Sequence, residues 1–149
     1  MSHKIFETPI QIRFAHCDPA GIVFHPQYFT IFNGVIEDFF REVVNVPFME
    51  LVRHGIGMPV VGIRCDFVHP SRPGDSCVAK LWIERMGVSS IRFGMTLECA
   101  DQVRLRMAET VVCVSKQEGM SAQPIPEQLR EKMQPYVMDE TNTPLALRA

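Results

Sequence analysis

Pro26-Gln27-Tyr28-Phe29-Thr30-Ile31-Phe32-Asn33-Gly34-Val35-Ile36-Glu37-Asp38-Phe39-Phe40-Arg41-Glu42-Val43 is the stretch on which the fold turns. Phe29, Phe32, Ile36, Phe39 or Phe40, and Val43 recur at steps of three and four, while Thr30, Glu37, Asp38, Arg41 and Glu42 fill other positions. That period predicts a helix of about five turns with a heavily aromatic apolar stripe. Pro26 suits its first position, where a backbone N–H would have no partner in any case. Asn45 to Pro47 ends it, and a shorter helix is expected over roughly Phe48 to His54.

On either side of this helix the period is two. Upstream, Ile10, Ile12 and Phe14 alternate with Gln11 and Arg13, which predicts a half-buried strand over 8–14. Downstream, Val61, Ile63, Cys65 and Phe67 form one alternating run. Cys77, Ala79, Leu81 and Ile83 form a second, and Ile91, Phe93, Met95, Leu97 and Cys99 a third. A fourth, Val103, Leu105 and Met107, slips in phase towards Thr110, Val112 and Val114, so a bulge or bend is expected near Ala108. Short links make the later strands an antiparallel meander. A short helix is expected over Pro126 to Gln134, and a tail from about 136 to 149. The order strand, long helix, four strands, short helix gives an α+β chain. A curved five-stranded antiparallel sheet wrapped around the helix is how such a helix buries its stripe.

The remaining composition narrows the function. The chain has 149 residues, enough for one domain with a real core. A net charge of -2 supplies no basic field for nucleic acid or a membrane surface. No apolar run is long enough to span a bilayer, and Met1-Ser2-His3-Lys4 leads into no signal-like segment. Cys17, Cys65, Cys77, Cys99 and Cys113 are odd in number and never spaced C-x-x-C, which argues against a disulfide framework or zinc ribbon and for the reducing cytoplasm.

Chemistry concentrates in Phe14-Ala15-His16-Cys17-Asp18-Pro19-Ala20-Gly21-Ile22-Val23-Phe24-His25-Pro26-Gln27-Tyr28. Asp18 precedes a proline, which favours extended backbone and places its carboxylate at the end of the strand. Seven residues on, a helix begins, with free N–H groups and a partial positive charge at its end. Pro26 has no N–H, so His25, Gln27 and Tyr28 are the expected donors. A thioester carbonyl docked on them would find an oxyanion site, and a carboxylate opposite could attack it or activate water. No metal or cofactor enters this scheme.

The motif, the strand order and the chain length resemble the 4-hydroxybenzoyl-CoA thioesterase family of the hotdog fold. The likeness covers roughly residues 6 to 135. It rests on Cys17-Asp18-Pro19-Ala20-Gly21-Ile22-Val23 followed by Pro26 and Tyr28, and less specifically on Pro70-Ser71-Arg72-Pro73-Gly74-Asp75. The resemblance implies hydrolysis of a small aromatic or short acyl-CoA, with Asp18 as nucleophile or base and the His25 amide polarising the thioester. Related bacterial thioesterases use a histidine at the His25 position and some a tyrosine four residues before the aspartate, where this chain has Phe14. The family's aromatic-acyl member meets CoA phosphates with basic residues after its third strand. Here Arg85-Met86-Gly87-Val88-Ser89-Ser90 keeps Ser89 and Ser90 but replaces the basic pair with Gly87 and Val88. Arg72, Arg85 and Arg92 are then the candidate CoA cations. A homo-oligomer, dimer or tetramer, is expected, because an isolated sheet leaves edge strands uncovered.

Other readings of the same residues compete. Asp18 can simply cap a turn, and His25 can be a helix-cap residue. His16, Asp18 and His25 would be a metal set short of a fourth ligand, and Cys17 beside a histidine would be a thiol nucleophile. Glu37 matches a helix glutamate used by another hotdog branch, while His54 and His69 read as structural or solvent-facing. Hotdog hydratases place a histidine five residues after their aspartate and carry an asparagine between them, neither of which occurs here. A non-catalytic acyl-CoA binder would have no use for a carboxylate facing its anionic ligand.

Overall fold

The computed structural model describes residues 3–138. The helix α1 starts at Pro26 and runs to Phe39, continuing as one π-helical turn over Phe40–Val44. Asn45, left-handed at φ 59°, closes it, the conformation in which helices commonly stop. Phe32, Val35, Ile36, Phe39, Phe40 and Val44 are buried. Phe29, expected on that stripe, is exposed, and Tyr28 is buried in its place. The helix α2 spans Phe48–Arg53.

Strands β1 (Phe6–Gln11), β2 (Ile56–Gly57), β3 (Val60–Phe67), β4 (Ser76–Met86), β5 (Ser90–Cys99), β6 (Gln102–Val112), β7 (Val114–Ser115) and β8 (Ser121–Ala122) precede helix α3 (Glu127–Met133). Five of them make the main antiparallel sheet in the order β1-β4-β5-β6-β3, the expected α+β arrangement with the long helix on one face. The two-residue strands β2, β7 and β8 form a second small sheet that no period in the sequence announces. Between α1 and the main sheet, Phe39 stacks edge-on against Phe6, Phe93 and Tyr136 with ring centroids 5.7, 6.1 and 5.2 Å away. The fully buried rings of Phe39 and Phe93 each contribute about 1.5–3 kcal/mol of apolar burial.

Two expectations need correction. The first strand stops at Gln11, and Phe14 sits in a 3-10 turn, 88% exposed. The cause is local: the Arg13 amide donates to Nδ1 of His16 at 2.9 Å, which turns the chain off the sheet. The bulge expected near Ala108 is absent from β6. Leu105, Met107, Glu109, Val111 and Cys113 continue one buried phase, and a charged residue within it imitates a phase change. The register shifts instead where Leu97 pairs with Leu105 and Glu98 with Val103, leaving Arg104 as the extra residue, and again at Val61 on β3.

At the C-terminal end, Tyr136 packs on Phe39, Val137 bridges to Ile83, and Met138 is buried against Trp82. The rest of the expected tail, from 139 onward, lies outside the described residues.

Candidate active site

Residues 16–24 form a miniature hairpin that carries the carboxylate. Phe24 N–H donates to the His16 carbonyl at 2.9 Å, Cys17 bridges to Val23, and Asp18 N–H donates to the Ile22 carbonyl at 3.0 Å. A turn closes at Asp18–Gly21, where the Gly21 amide donates to the Asp18 carbonyl at 2.9 Å. Pro19 presets the second turn position, and Gly21 takes φ 78°, which a residue without Cβ adopts freely. Within this turn, Oδ1 of Asp18 accepts the Ala20 amide at 2.8 Å. Oδ2 has no hydrogen-bond partner among the described residues. Asp18 therefore caps its turn with one oxygen and leaves the other without a hydrogen bond among the described residues.

The hairpin is held to the sheet by a clamp. Val23 N–H donates to the Ser71 carbonyl at 3.0 Å. Ser71 is held in turn by Arg104, whose Nη1 donates to Pro70 O at 2.9 Å, Ser71 Oγ at 3.2 Å and Asp75 Oδ2 at 2.8 Å. The Arg72 amide also donates to Asp75 Oδ2, at 2.9 Å. That amide first, and Arg104 second, hold the Asp75 carboxyl below the usual carboxylate range. The β6 bulge is what brings Arg104 to this position.

At the start of α1, two of the three expected donors are already in use. Gln27 N–H donates to the Phe24 carbonyl at 2.8 Å and Tyr28 N–H to the His25 carbonyl at 3.1 Å, because the first turn is wound tightly enough for i-3 acceptors. The His25 amide has no acceptor among the described residues, and His25 already has helical dihedrals. Its N–H is the one the helix terminus leaves open. The His25 ring meets Phe24 and Phe67 edge-on, at 5.5 and 6.2 Å, and Phe67 lies 6.0 Å from Tyr28. Tyr28 is buried beside Ser71, and burial raises its phenol.

The competing nucleophiles and ligands fare differently. Burial and the neighbouring Asp18 and Asp75 push the Cys17 thiol up, away from the thiolate, and its Sγ leans on the Arg13 carbonyl at 3.6 Å. Nδ1 of His16 is engaged by Arg13. No three His, Cys, Asp or Glu side chains cluster as a metal site among the described residues. Glu37 is exposed on α1, and His54 lies 3.8 Å from Glu50.

The phosphate candidates separate. Arg72 adjoins Ser71, at the Asp18 end of the sheet. Arg85, Ser89, Ser90 and Arg92 lie at the other end of β4, which is roughly 33 Å long at 11 residues, and Arg92 pairs with Glu84 at 2.9 Å. Within one chain they are not brought to Asp18. Reading the sequence marked Ser71 and Asp75 only as part of a turn and missed what they, Arg104 and Phe67 do, because those roles come from contacts across sheet neighbours rather than from spacing.

Residues 12–133 match the family described as the Thioesterase-like superfamily. A Bacillus subtilis protein provisionally named an acyl-CoA thioesterase, YneP, is 24% identical over 114 residues, covering 76% of this chain and 82% of that one. Among solved structures, Slr0204 from Synechocystis, a 1,4-dihydroxy-2-naphthoyl-CoA thioesterase, superposes with a TM-score of 0.81 at 20% identity, covering 87% and 96% of the two chains. The gentisyl-coenzyme A thioesterase BH1999 superposes with a TM-score of 0.74 at 25% identity, covering 85% and 99%. No helix among the described residues is long and apolar enough to cross a membrane.

Proposed function

This chain belongs to the Thioesterase-like superfamily and is a thioester hydrolase of the hotdog fold, and from that premise we propose that it hydrolyses a small aromatic or short-chain acyl-CoA with Asp18 as the catalytic carboxylate. One observation carries the reading: the unpartnered Oδ2 of Asp18 stands on a turn that leads directly into a helix whose single open amide is that of His25. The thioester oxygen accepts the His25 N–H, which stabilises the negative charge that develops there. Either Asp18 attacks the carbonyl carbon, the C–S bond breaks to release the CoA thiolate, and water then hydrolyses the mixed anhydride to free acid and Asp18, or Asp18 takes a proton from water that attacks the carbonyl as the C–S bond breaks. Removing one such donor typically costs about 10²–10³ in rate. The scheme uses no metal, so a strong chelator should leave turnover unchanged.

Support for an aromatic acyl group comes from Phe24 and Phe67 beside His25 and from the aromatic thioesters in the names of the two structural neighbours. Arg72 is the phosphate-binding residue this reading favours in the same chain. Arg85, Ser89, Ser90 and Arg92 would serve only a site completed by a second copy. Five free cysteines fit a single domain working in the reducing cytoplasm.

Thiol release across a panel of acyl-CoA thioesters tests the activity, and Asp18 variants test the role. Asp18→Asn keeps the turn hydrogen bond but can act neither as nucleophile nor as base, so it should lose nearly all turnover while still binding substrate, as should Asp18→Ala. Near wild-type turnover in Asp18→Asn would reduce the residue to a turn cap.

A further inference from the structure

The main sheet presents an acid to its own core. Across four strands, Ile83, Phe93, Glu109 and Ile63 are successive register partners and share the face that α1 covers. Glu109 is only 5% exposed, yet it has no hydrogen bond or ion pair among the described residues. It borders a cavity of about 60 Å³, measured for the centre of a water molecule, together with Asn33, Ile36, Phe40, Phe48 and Phe93, and the cavity opens to solvent beside the exposed Asn33 and Val60. One water centre needs roughly 10–15 Å³, so the space exceeds a single solvent molecule. A core that needed only packing would put a hydrocarbon at this position, since a buried polar group without a partner is costly.

The cavity lies in line with the reacting end. Along α1, His25, Phe29 and Asn33 succeed one another at i, i+4 and i+8, so Asn33 is about 12 Å from the His25 amide. Along β6, Leu105 pairs with Phe67, which touches the His25 ring, and Glu109 follows four residues later, about 13 Å away. The helix and the strand independently place the cavity one acyl length from the open amide.

We propose that this cavity is a subsite for the far end of acyl groups longer than the ring or short chain named above, and that Glu109 and Asn33 select a tail tipped with a hydroxyl. The assignment rests on the reading of Asp18 and His25 as the reacting end. A hydroxyl both donates and accepts a hydrogen bond, and so do a carboxylic acid and a primary amide. Burial raises the Glu109 carboxyl above the ordinary range, favouring its neutral acid form. An ammonium tip would instead require the ionised form among Phe40, Phe48 and Phe93. A methyl tip leaves Glu109 desolvated and unpaired, which is how polar sites reject analogues that lack the matching group.

The test measures affinity, so it does not depend on turnover. Full-length Asp18→Asn protein is titrated calorimetrically with ω-hydroxyacyl-CoA and plain acyl-CoA thioesters of matched, increasing chain length. At the fitting length the hydroxylated ligand should bind about tenfold tighter or better. Adding Glu109→Leu should erase or reverse that preference. Adding Glu109→Gln, which retains the shape and both hydrogen-bonding senses, should keep most of it. Equal affinities at every length, or an unchanged preference with Leu, overturn the subsite. Wild-type thiol release from the same thioesters and from an aromatic acyl-CoA panel is measured alongside: absence of turnover on all of them refutes the reading of Asp18 and His25 as the reacting end, whereas the affinities alone decide the subsite.

Discussion

On the proposed mechanism, Asp18 divides its two oxygens between structure and chemistry, and His25 divides its amide from its ring in the same way. If only the amide acts, His25→Ala retains it and should cost little in kcat. His25→Pro removes the N–H and should lower kcat by about 10²–10³-fold. Equal losses in the two variants would shift the role to the imidazole. Both residues were legible in the sequence, because a turn of Pro and Gly followed by a helix-starting proline is a local signal. Glu109 was not, since its burial is decided by β5, β3 and α1 together. Its folded carboxyl titrates above the unfolded value of about 4.3. Stability from the neutral form is therefore complete below that pH and lost as pH rises towards the folded value. Glu109→Gln carries no such loss, so its melting temperature should gain on wild type as pH climbs from about 4 to 7, by up to about 1–3 kcal/mol of stability. A constant gap across that range would contradict the burial of an acid there.

At the scale of elements, period two located all five strands of the main sheet, overrunning only the end of β1, and period 3.6 located α1, because hydrophobic burial writes those periods directly into the chain. What the periods concealed were exceptions: His16 ending β1, Arg104 bulging from β6, and the second small sheet of β2, β7 and β8. Each depends on a polar contact or a backbone pairing that leaves no apolar signature. The β4–β5 pair contains another. Gly94 lies opposite Trp82, and a Cβ built there would overlap the indole ring. Gly94→Ala must push a rigid aromatic off the sheet, so it should destabilise by about 1–3 kcal/mol, read as a lower urea midpoint with an unchanged slope. A neutral result would mean that the indole has somewhere else to go. Asp75 gives an opposite pH signature to Glu109. Its lowered carboxyl supplies stability above the unfolded value of about 3.9 that disappears as pH falls through the folded value.

For the whole molecule, the unfinished part is the outer edge of the sheet. Val61, Ile63 and Phe67 on β3 are 62%, 47% and 54% exposed, and among the described residues β3 ends the strand order with one side unpaired. Such an edge invites another strand. A two-fold partner across it would lengthen the sheet and cover these side chains, with Phe67 beside His25 bringing the partner to the proposed reacting end. Light scattering should then report a dimer or a multiple of one at micromolar concentration. Ile63→Lys, a charge on the edge, should shift it towards monomer and reduce turnover together. A wild-type monomer would leave the edge without this explanation. Alternating residues on β3 were readable as a strand, but not as an edge, since strand order is a property of the assembled sheet.

The one tryptophan, Trp82, is sealed over Gly94 by Met138 and Ile5, on the face of the sheet turned away from α1. Its fluorescence thus reports closure of the C-terminal end over the sheet. Native protein should emit at short wavelength and move to longer wavelength on unfolding. A ligand held on the opposite face, between α1 and the sheet, is insulated from the indole by the sheet itself. A variant that loses turnover with its emission unmoved has lost chemistry, and one whose emission reddens has lost its fold, so the chain carries its own optical control for every substitution described above.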